Sequence, residues 1–324
     1  MIRSLVAALL GSLLLALPVA ARTPASSASA NPPRSVAVTF DDLPYQGAQA
    51  ELCDPVRAMA LTEDFLAMLR PLDTRATAFV NEGKVCEALR ADLLPRILNA
   101  WLDAGVDLGN HGFDHLNIGR ITAEAYLADV DRGAVCTRQV LEARGRKLRY
   151  FRHPFLFTGE TPEKKAALAE GLAARGYTIA PVTIDNSEWI YAALYRAAEK
   201  AGDVAGMASI GEAYLTHMAA VVAHYEPYSA ELAGGREPAQ VLLLHANSLN
   251  RDWYPKVHAM LLERGYRFVS LDEALADPVY RLPESWVRAN GVSWIHRWRQ
   301  AKGMPLRWEP DPPPEIMQAY KALN

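Results

Sequence analysis

Seven short apolar segments alternate with longer helical stretches between residues 36 and 275, and this alternation constrains the fold more than any other feature. Strands that alternate with helices are typical of parallel sheets covered by helices. No glycine-rich nucleotide fingerprint follows the first segment, which disfavours a doubly wound dinucleotide-binding sheet. We therefore predict an α/β fold, a deformed parallel (β/α)7 barrel. The predicted strands are Val36–Phe40, Arg75–Val80, Val106–Gly109, Arg149–Arg152, Tyr177–Thr183, Val241–Leu244 and Tyr266–Val269.

Two segments depart from this alternation. Residues 190–235 are rich in alanine and predict a helical insertion between the fifth and sixth strands. Residues 276–324 are rich in proline and tryptophan and predict a C-terminal extension. Its tryptophans either fix the extension to the barrel or stack on sugar rings, because large aromatic side chains serve both purposes. The predicted barrel spans residues 36–275, with the helical insertion inside it.

The first 21 residues have the pattern of a signal peptide. Arg3 precedes an apolar run over residues 5–17, and small residues lie just before Arg22, where we expect cleavage. The run is shorter than the roughly 20 residues that span a bilayer, so we expect no membrane insertion after cleavage. Residues 22–35 predict a disordered leader because they are dominated by proline, serine and alanine. The sequence therefore predicts an exported protein, periplasmic or extracellular.

The charge and the cysteines of the chain bear on its partners and on disulfide formation. The net charge of −3 gives no basic excess for a nucleic-acid partner. Cys53 and Cys86 follow the first two predicted strands, and export would permit a disulfide between them. Sequence alone does not fix that pairing. Cys136 lies in a helical stretch and is expected to be a small buried apolar residue.

Five polar motifs each follow the end of a predicted strand. In a parallel barrel the C-terminal ends of the strands converge on one mouth, so residues distant in sequence are expected to meet there. The motifs are Thr39-Phe40-Asp41-Asp42, His111-Gly-Phe-Asp-His115, Arg152-His-Pro154, Asp185-Asn-Ser-Glu188-Trp189 and Leu243-Leu-His245.

Asp42, His111 and His115 have the composition of a hydrolytic metal site. Two imidazoles and one carboxylate suit a divalent ion such as Zn²⁺ and leave coordination positions open. The four-residue spacing of the histidines is expected to bring both rings to one side of a helical turn. A His-x-x-x-His pair by itself is more often two unrelated histidines. Its position at a strand end, and the paired acids at another strand end, favour a metal site here.

Asp41 is the neighbouring acid that the metal site leaves free. Residues that alternate along a strand point in different directions, so one carboxylate is expected to bind metal while the other accepts a proton from the attacking water. His245 ends an apolar run and is the expected proton donor. Arg152 on a buried strand requires a carboxylate partner, and Asp41 is the candidate. Either Asp185 or Glu188 is expected to lie near His245.

Together, in this order, the five motifs resemble the polysaccharide deacetylases of carbohydrate esterase family 4, over about residues 36–275. The resemblance implies that Asp41 is the general base and that Asp42, His111 and His115 bind a divalent metal, usually zinc. It implies that Arg152 orients the base and that His245 is the general acid.

The resemblance also implies a substrate pocket. Trp189 and Leu243 would line the space for the acetyl group, and the backbone N–H of Phe155 would help to hold the oxyanion. Three positions depart from the family pattern. His153 replaces a usual proline, Phe155 a usual tyrosine, and Glu188 a usual aspartate. These changes affect the expected substrate more than the metal-binding set.

The function that follows is a metal-dependent hydrolase that removes acetyl groups from an N- or O-acetylated carbohydrate. Two alternatives stay open: hydrolysis of a non-sugar amide on the same barrel, and a carbohydrate-binding protein with an inactive site. The sequence does not specify the polymer, the metal or the oligomeric state.

Overall fold

The computed structural model describes residues 34–323 and contains a parallel barrel sheet surrounded by helices. The expected signal peptide and most of the expected leader lie outside these residues. Within them, the strands are β1 Arg34–Leu43, β2 Thr77–Val80, β3 Asp107–Asn110, β4 Tyr150–Phe151, β5 Thr178–Ile179, β6 Gln240–His245 and β7 Tyr266–Phe268. The helices are α1 Pro55–Leu69, α2 Glu87–Asp103, α3 Ala123–Arg132, α4 Val135–Glu142, α5 Pro162–Ala174, α6 Glu188–Ala201, α7 Val204–Ala230, α8 Ser248–Glu263, α9 Leu271–Leu275, α10 Trp294–Ala301 and α11 Pro314–Lys321.

The strands pair in the order β5-β4-β3-β2-β1-β6, and β7 pairs with the beginning of β1. Every pairing is parallel. A parallel bridge between Ile184 and Leu242 joins the chain beyond β5 to β6, so the sheet closes on itself. The prediction of a deformed parallel barrel is confirmed.

The strand boundaries differ from the sequence prediction by up to four residues, and two of these differences have a clear structural reason. β1 begins at Arg34, inside the expected leader, because residues 34–36 pair with β7. β5 ends at Ile179, although the sequence predicts a strand to Thr183. Pro181 has no backbone N–H to donate, which interrupts regular pairing until the bridge at Ile184.

The side chains of β1 point alternately to the outer and inner sides of the barrel wall. Val36, Val38 and Phe40 pack outward into the main core, where the Phe40 ring lies edge-on to Phe65 of α1 at 5.2 Å between ring centroids. Ala37 belongs to a separate cluster of small and aromatic residues in the barrel interior. The outward face of β1 packs against the helices, and its inward face lines the interior of the barrel.

Helices α6 and α7 occupy the segment where the helical insertion was expected, and α10 and α11 lie in the C-terminal extension. Three tryptophans of the extension, Trp286, Trp294 and Trp298, are buried, whereas Trp308 is 55% exposed. Among residues 34–323, no helix combines the length and apolar character needed to cross a membrane.

The cysteine pairing that the sequence left open is present. Cys53 and Cys86 form a disulfide that joins the loop after β1 to the N-terminus of α2. Cys136 is unpaired and half-buried in α4, so it is less buried than the sequence prediction implies.

Candidate active site

One pocket of about 450 Å³ lies at the C-terminal ends of the strands. It contains every residue singled out in the five motifs except Arg152 and Glu188, which are fully buried behind its wall. Its lining residues are Asp41, Asp42, Gln46, His111, His115, His153, Phe155, Leu156, Asp185, Asn186, Trp189, Leu243, His245 and Gly291.

Asp41 and Asp42 both line this pocket, and the expectation that they point in different directions is wrong. The register of β1 with β2 shifts between Phe40 and Leu43, and Asp42 has a φ of +70°. This irregularity cancels the alternation of a regular strand. As a result, an oxygen of each carboxylate lies 3.7 Å from His111 Nε2.

His111 and His115 are brought together by a bent loop, so the helical turn expected from their spacing is absent from this segment of the structure. Gly112 and His115 have φ values of +78° and +53°, and the two rings lie 4.9 Å apart. His111 Nδ1 bonds to the Arg152 carbonyl at 2.8 Å, which leaves Nε2 facing the aspartates. Burial lowers the pKa of both histidines and keeps the rings neutral, as metal ligands must be.

The cluster of Asp42, His111 and His115 fits a divalent cation. One ligand atom from each residue lies within 4.8 Å of the others. Asp42 Oδ1 is buried and accepts no well-aligned hydrogen bond from residues 34–323. Its nearest cation is Lys84, whose Nζ lies 3.0 Å away. Burial opposes charge on Asp42, but Lys84 and the protonated His245 act in the opposite direction, and the pKa of Asp42 is lowered. The oxygen is therefore anionic and faces the histidines, with Lys84 as its neighbouring cation.

Asp41 pairs with Arg152. Arg152 Nη1 lies 3.2 Å from both carboxylate oxygens, its Nη2 donates to Thr39 Oγ1, and its Nε donates to the Ala180 carbonyl. This set of bonds fixes the orientation of the guanidinium group. Burial raises the pKa of Asp41 to about 6, although Arg152 acts in the opposite direction. A carboxylate with such a pKa can accept a proton near neutral pH.

His245 has Glu188 as its partner. His245 Nδ1 lies 2.6 Å from Glu188 Oε2, while the other oxygen of Glu188 accepts hydrogen bonds from Asn247 and Asn250. Burial alone would lower the pKa of His245, but the Glu188 carboxylate outweighs it and the pKa rises to about 9. The imidazole is therefore held in its protonated form. Of the two acids that the sequence offered for this position, the structure pairs Glu188 with the histidine.

The other expected residues form the walls. Asp185 lines the pocket, and burial together with the charge of Glu309 raises its pKa to about 7. Leu243 is 9% exposed at the pocket surface, and the Trp189 side chain is 44% exposed at its edge. The Phe155 ring lies edge-on to His115 at 4.5 Å. The pocket wall therefore combines polar and apolar side chains.

Several residues that contact the site were not identified from the sequence. Gln46 bonds to both Asp42 and Asn247, and it therefore links the cluster of Asp42, His111 and His115 to the group around His245. Lys84 lies in the connection after β2 and Gly291 in the C-terminal extension, and both are outside the five motifs in the sequence. For Gln46, the only local sign of a place in the site was its position four residues after Asp42. Lys84 and Gly291 reach the site only through the tertiary fold.

Residues 28–175 match the family model described as polysaccharide deacetylase. Over this segment, which is less than half of the chain, the sequence is similar to the polysaccharide deacetylase family. The match includes the motifs that contain Asp41, His111 and Arg152, whereas the motifs around Glu188 and His245 lie beyond it. No curated protein matches the chain.

Similar solved structures include a carbohydrate esterase, two deacetylases and a pseudoenzyme. A family 4 carbohydrate esterase from Streptomyces lividans, in complex with acetate, is 20% identical, with 76% of this chain and 97% of that chain covered and a TM-score of 0.44. The peptidoglycan deacetylase PdaC from Bacillus subtilis is 18% identical, with 77% and 93% covered and a TM-score of 0.45.

A polysaccharide deacetylase from Bacillus cereus is 19% identical, with 73% and 91% covered and a TM-score of 0.45. A family 4 pseudoenzyme from Bacillus anthracis is 15% identical, with 76% and 66% covered and a TM-score of 0.45. At TM-scores below 0.5, these similarities assign no chemistry to the chain.

Proposed function

We propose that this protein is a metal-dependent hydrolase that removes acetyl groups from an N- or O-acetylated carbohydrate. One observation supports this function best. A base paired with arginine, a histidine paired with glutamate and a cluster of metal-ligand type meet in a single pocket. The family match to polysaccharide deacetylases supports the carbohydrate substrate.

In this proposal, Asp42, His111 and His115 hold the ion, and zinc suits such a set of two imidazoles and one carboxylate. A divalent cation there would polarise the acyl carbonyl and make a water more acidic. The role of the protein is to keep both imidazoles neutral and both Nε2 atoms free for the ion. The bond from His111 Nδ1 to the Arg152 carbonyl fulfils that role for one of them.

Asp41 is the proposed general base. Its carboxylate lines the pocket beside the cluster, and Arg152 holds it in one orientation. His245 is the proposed general acid, which gives its proton to the departing amine or alkoxide. Glu188 both orients the ring and favours its charged form. Asp185 adds a further carboxyl group to the pocket wall.

The acyl group is proposed to lie against Trp189 and Leu243, with Phe155 across the pocket. An apolar wall of this kind excludes one additional methylene by only about 1–3 kcal/mol, so its selectivity for acetyl is modest. The backbone N–H of Phe155 is the proposed oxyanion donor, as in the family that the motifs resemble.

Acetate release tests this function. We expect the purified protein to release acetate from at least one of peptidoglycan, poly-N-acetylglucosamine, chitin oligomers and acetylated xylan. His111→Ala and His115→Ala should lose both bound metal, measured by elemental analysis, and turnover. Release only from a non-sugar acetamide would favour the amide hydrolase. Carbohydrate binding without release by a metal-loaded protein would indicate an inactive site.

We also propose that the protein acts outside the cytoplasm. The signal-like pattern of residues 1–21 and the Cys53–Cys86 disulfide support export, because disulfides persist in oxidising compartments. Expression of residues 1–324 should give a mature protein that begins at Arg22, and N-terminal sequencing checks this. A cytoplasmic product that retains Met1 would contradict the proposal.

A further inference from the structure

The C-terminal extension reaches the pocket and packs against its wall. We infer that Gly291 and Arg297 of this extension are positioning residues, which hold the turn at Phe155 and Leu156 in the shape that the site requires. This inference rests on the proposed function, since that turn carries the Phe155 ring and the proposed oxyanion donor.

The turn has a backbone conformation that its residues do not favour. Phe155 and Leu156 have φ values of +57° and +53°, in the left-handed region where a Cβ is crowded. Two consecutive residues of this kind persist only where the surrounding structure determines their geometry. The contacts that hold this turn are therefore part of the site.

Arg297 supplies those contacts from α10. Its side chain is fully buried, its Nη2 donates to the Leu156 carbonyl, and its Nη1 donates to Thr158 Oγ1 at 3.0 Å. The Nε donates to the Val292 carbonyl at 3.1 Å, and Glu284 supplies a counter-charge at 3.3 Å. A planar guanidinium with fixed donor directions joins the turn to the extension.

Gly291 also approaches this turn closely. A Cβ at this position would lie 2.0 Å from the Phe155 carbonyl oxygen and 2.6 Å from the Leu156 carbonyl carbon. These are backbone atoms, so no side-chain rotation would relieve the overlap. Glycine is therefore required here for close approach, and Gly291 itself lines the pocket.

The same segment also holds the opposite wall. The Ser293 hydroxyl donates to the Thr183 carbonyl, and the Trp294 N–H donates to the Val182 carbonyl, both at 2.7 Å. Val182 and Thr183 lead directly to Asp185. The segment from Gly291 to Arg297 thus connects the Phe155 turn to the chain that carries Asp185, and it sets the spacing between the two walls.

Arg297→Met tests the inference, with Arg299→Met as its matched control. Arg299 is also a buried arginine of α10, but it donates to the Pro305 and Tyr228 carbonyls and to Glu231, away from the pocket. Both variants lose one buried arginine, so both should lower the unfolding temperature. Only Arg297→Met should speed hydrogen exchange at the Leu156 and Phe157 amides, which bond to His153 and Pro154.

Activity gives the second measurement. We expect kcat for acetate release to fall roughly 10- to 100-fold in Arg297→Met. A displacement of the proposed oxyanion donor by about 1 Å has an effect of this size. Metal content should remain that of the wild type, and Arg299→Met should retain wild-type kcat. Gly291→Ala, which leaves Arg297 in place, should reproduce the loss of kcat by displacing the Phe155 carbonyl.

Equal amide exchange of the turn in the two methionine variants would overturn the inference. So would wild-type kcat in Gly291→Ala. Hydrogen exchange does not depend on turnover. If the wild-type protein released no acetate, the proposed function would fail, while the exchange comparison would still decide whether the extension holds the turn.

Discussion

At the scale of single residues, the most consequential feature is the irregularity at Asp41 and Asp42. It brings two adjacent carboxylates to one histidine but gives them different surroundings. Asp41 is paired with Arg152 and has its pKa raised to about 6, whereas Asp42 has a lowered pKa and an oxygen directed at the histidines. Different environments for two like groups allow them to have separate roles.

Asp41→Asn is expected to separate metal binding from chemistry. The amide cannot accept the proton, so turnover should fall by about 10²–10⁴-fold. Asp42, His111 and His115 remain, so elemental analysis should find wild-type metal content. Loss of the metal in Asp41→Asn would mean that the roles of the two aspartates are reversed.

Lys84→Met is expected to strengthen metal binding. The Lys84 ammonium group lies 3.0 Å from the Asp42 oxygen that would bind the ion, and two cations close to one carboxylate repel each other. Removing that charge should lower the dissociation constant for zinc about tenfold or more, measured by competition with a chelator. Lys84→Arg keeps the charge and should resemble the wild type. An unchanged or weaker affinity in Lys84→Met would show that the lysine mainly orients Asp42.

At the scale of elements, three of them meet at the proposed acid. Glu188 begins α6, His245 ends β6, and Asn247 caps the N-terminus of α8. Asn250 of α8 donates to Glu188 and accepts a hydrogen bond from Tyr214 of α7, so the insertion also supports the group. Glu188 is longer by one methylene than the aspartate that is usual in the family that the motifs resemble. Asn247 and Asn250 fix its carboxylate.

Glu188→Gln should shift the pH profile of kcat/KM. The raised pKa keeps His245 protonated up to about pH 9, so activity that needs this acid should persist to about that pH. Glutamine retains the shape but not the charge, so the pKa of His245 should fall and the basic limb should move to lower pH by a unit or more. An unmoved basic limb in Glu188→Gln would contradict the acid role.

At the scale of the whole molecule, closure of the barrel and covalent linkage determine how firmly the mouth is held. The bridge from Ile184 to Leu242 closes the sheet, and the Cys53–Cys86 disulfide ties together the loops that follow β1 and β2. Lys84, which contacts Asp42, lies on the second of these loops. Global stability and the geometry of the site are therefore linked.

Replacing both Cys53 and Cys86 by alanine should lower the free energy of unfolding by about 3–4 kcal/mol, because the disulfide closes a loop of 33 residues. Denaturant unfolding measures the change. Cys136→Ala removes an unpaired cysteine and serves as the control. A loss in the double variant no larger than that in the control would show that the bond adds little to stability.

The sequence by itself determined the class of fold and the chemical composition of the site. Periodic apolar segments specified the parallel barrel, and the convergence of strand ends brought Asp41, His111 and His245 to one mouth. These inferences depend on local patterns and on a rule that applies to every parallel barrel.

The tertiary structure decided the rest. The direction of Asp42 depends on a register shift, the choice of Glu188 as partner of His245 depends on how α6 packs, and the wall at Phe155 depends on residues more than 130 positions later in the chain. Such contacts leave no local pattern, because they are specified by packing between segments that are distant in the sequence.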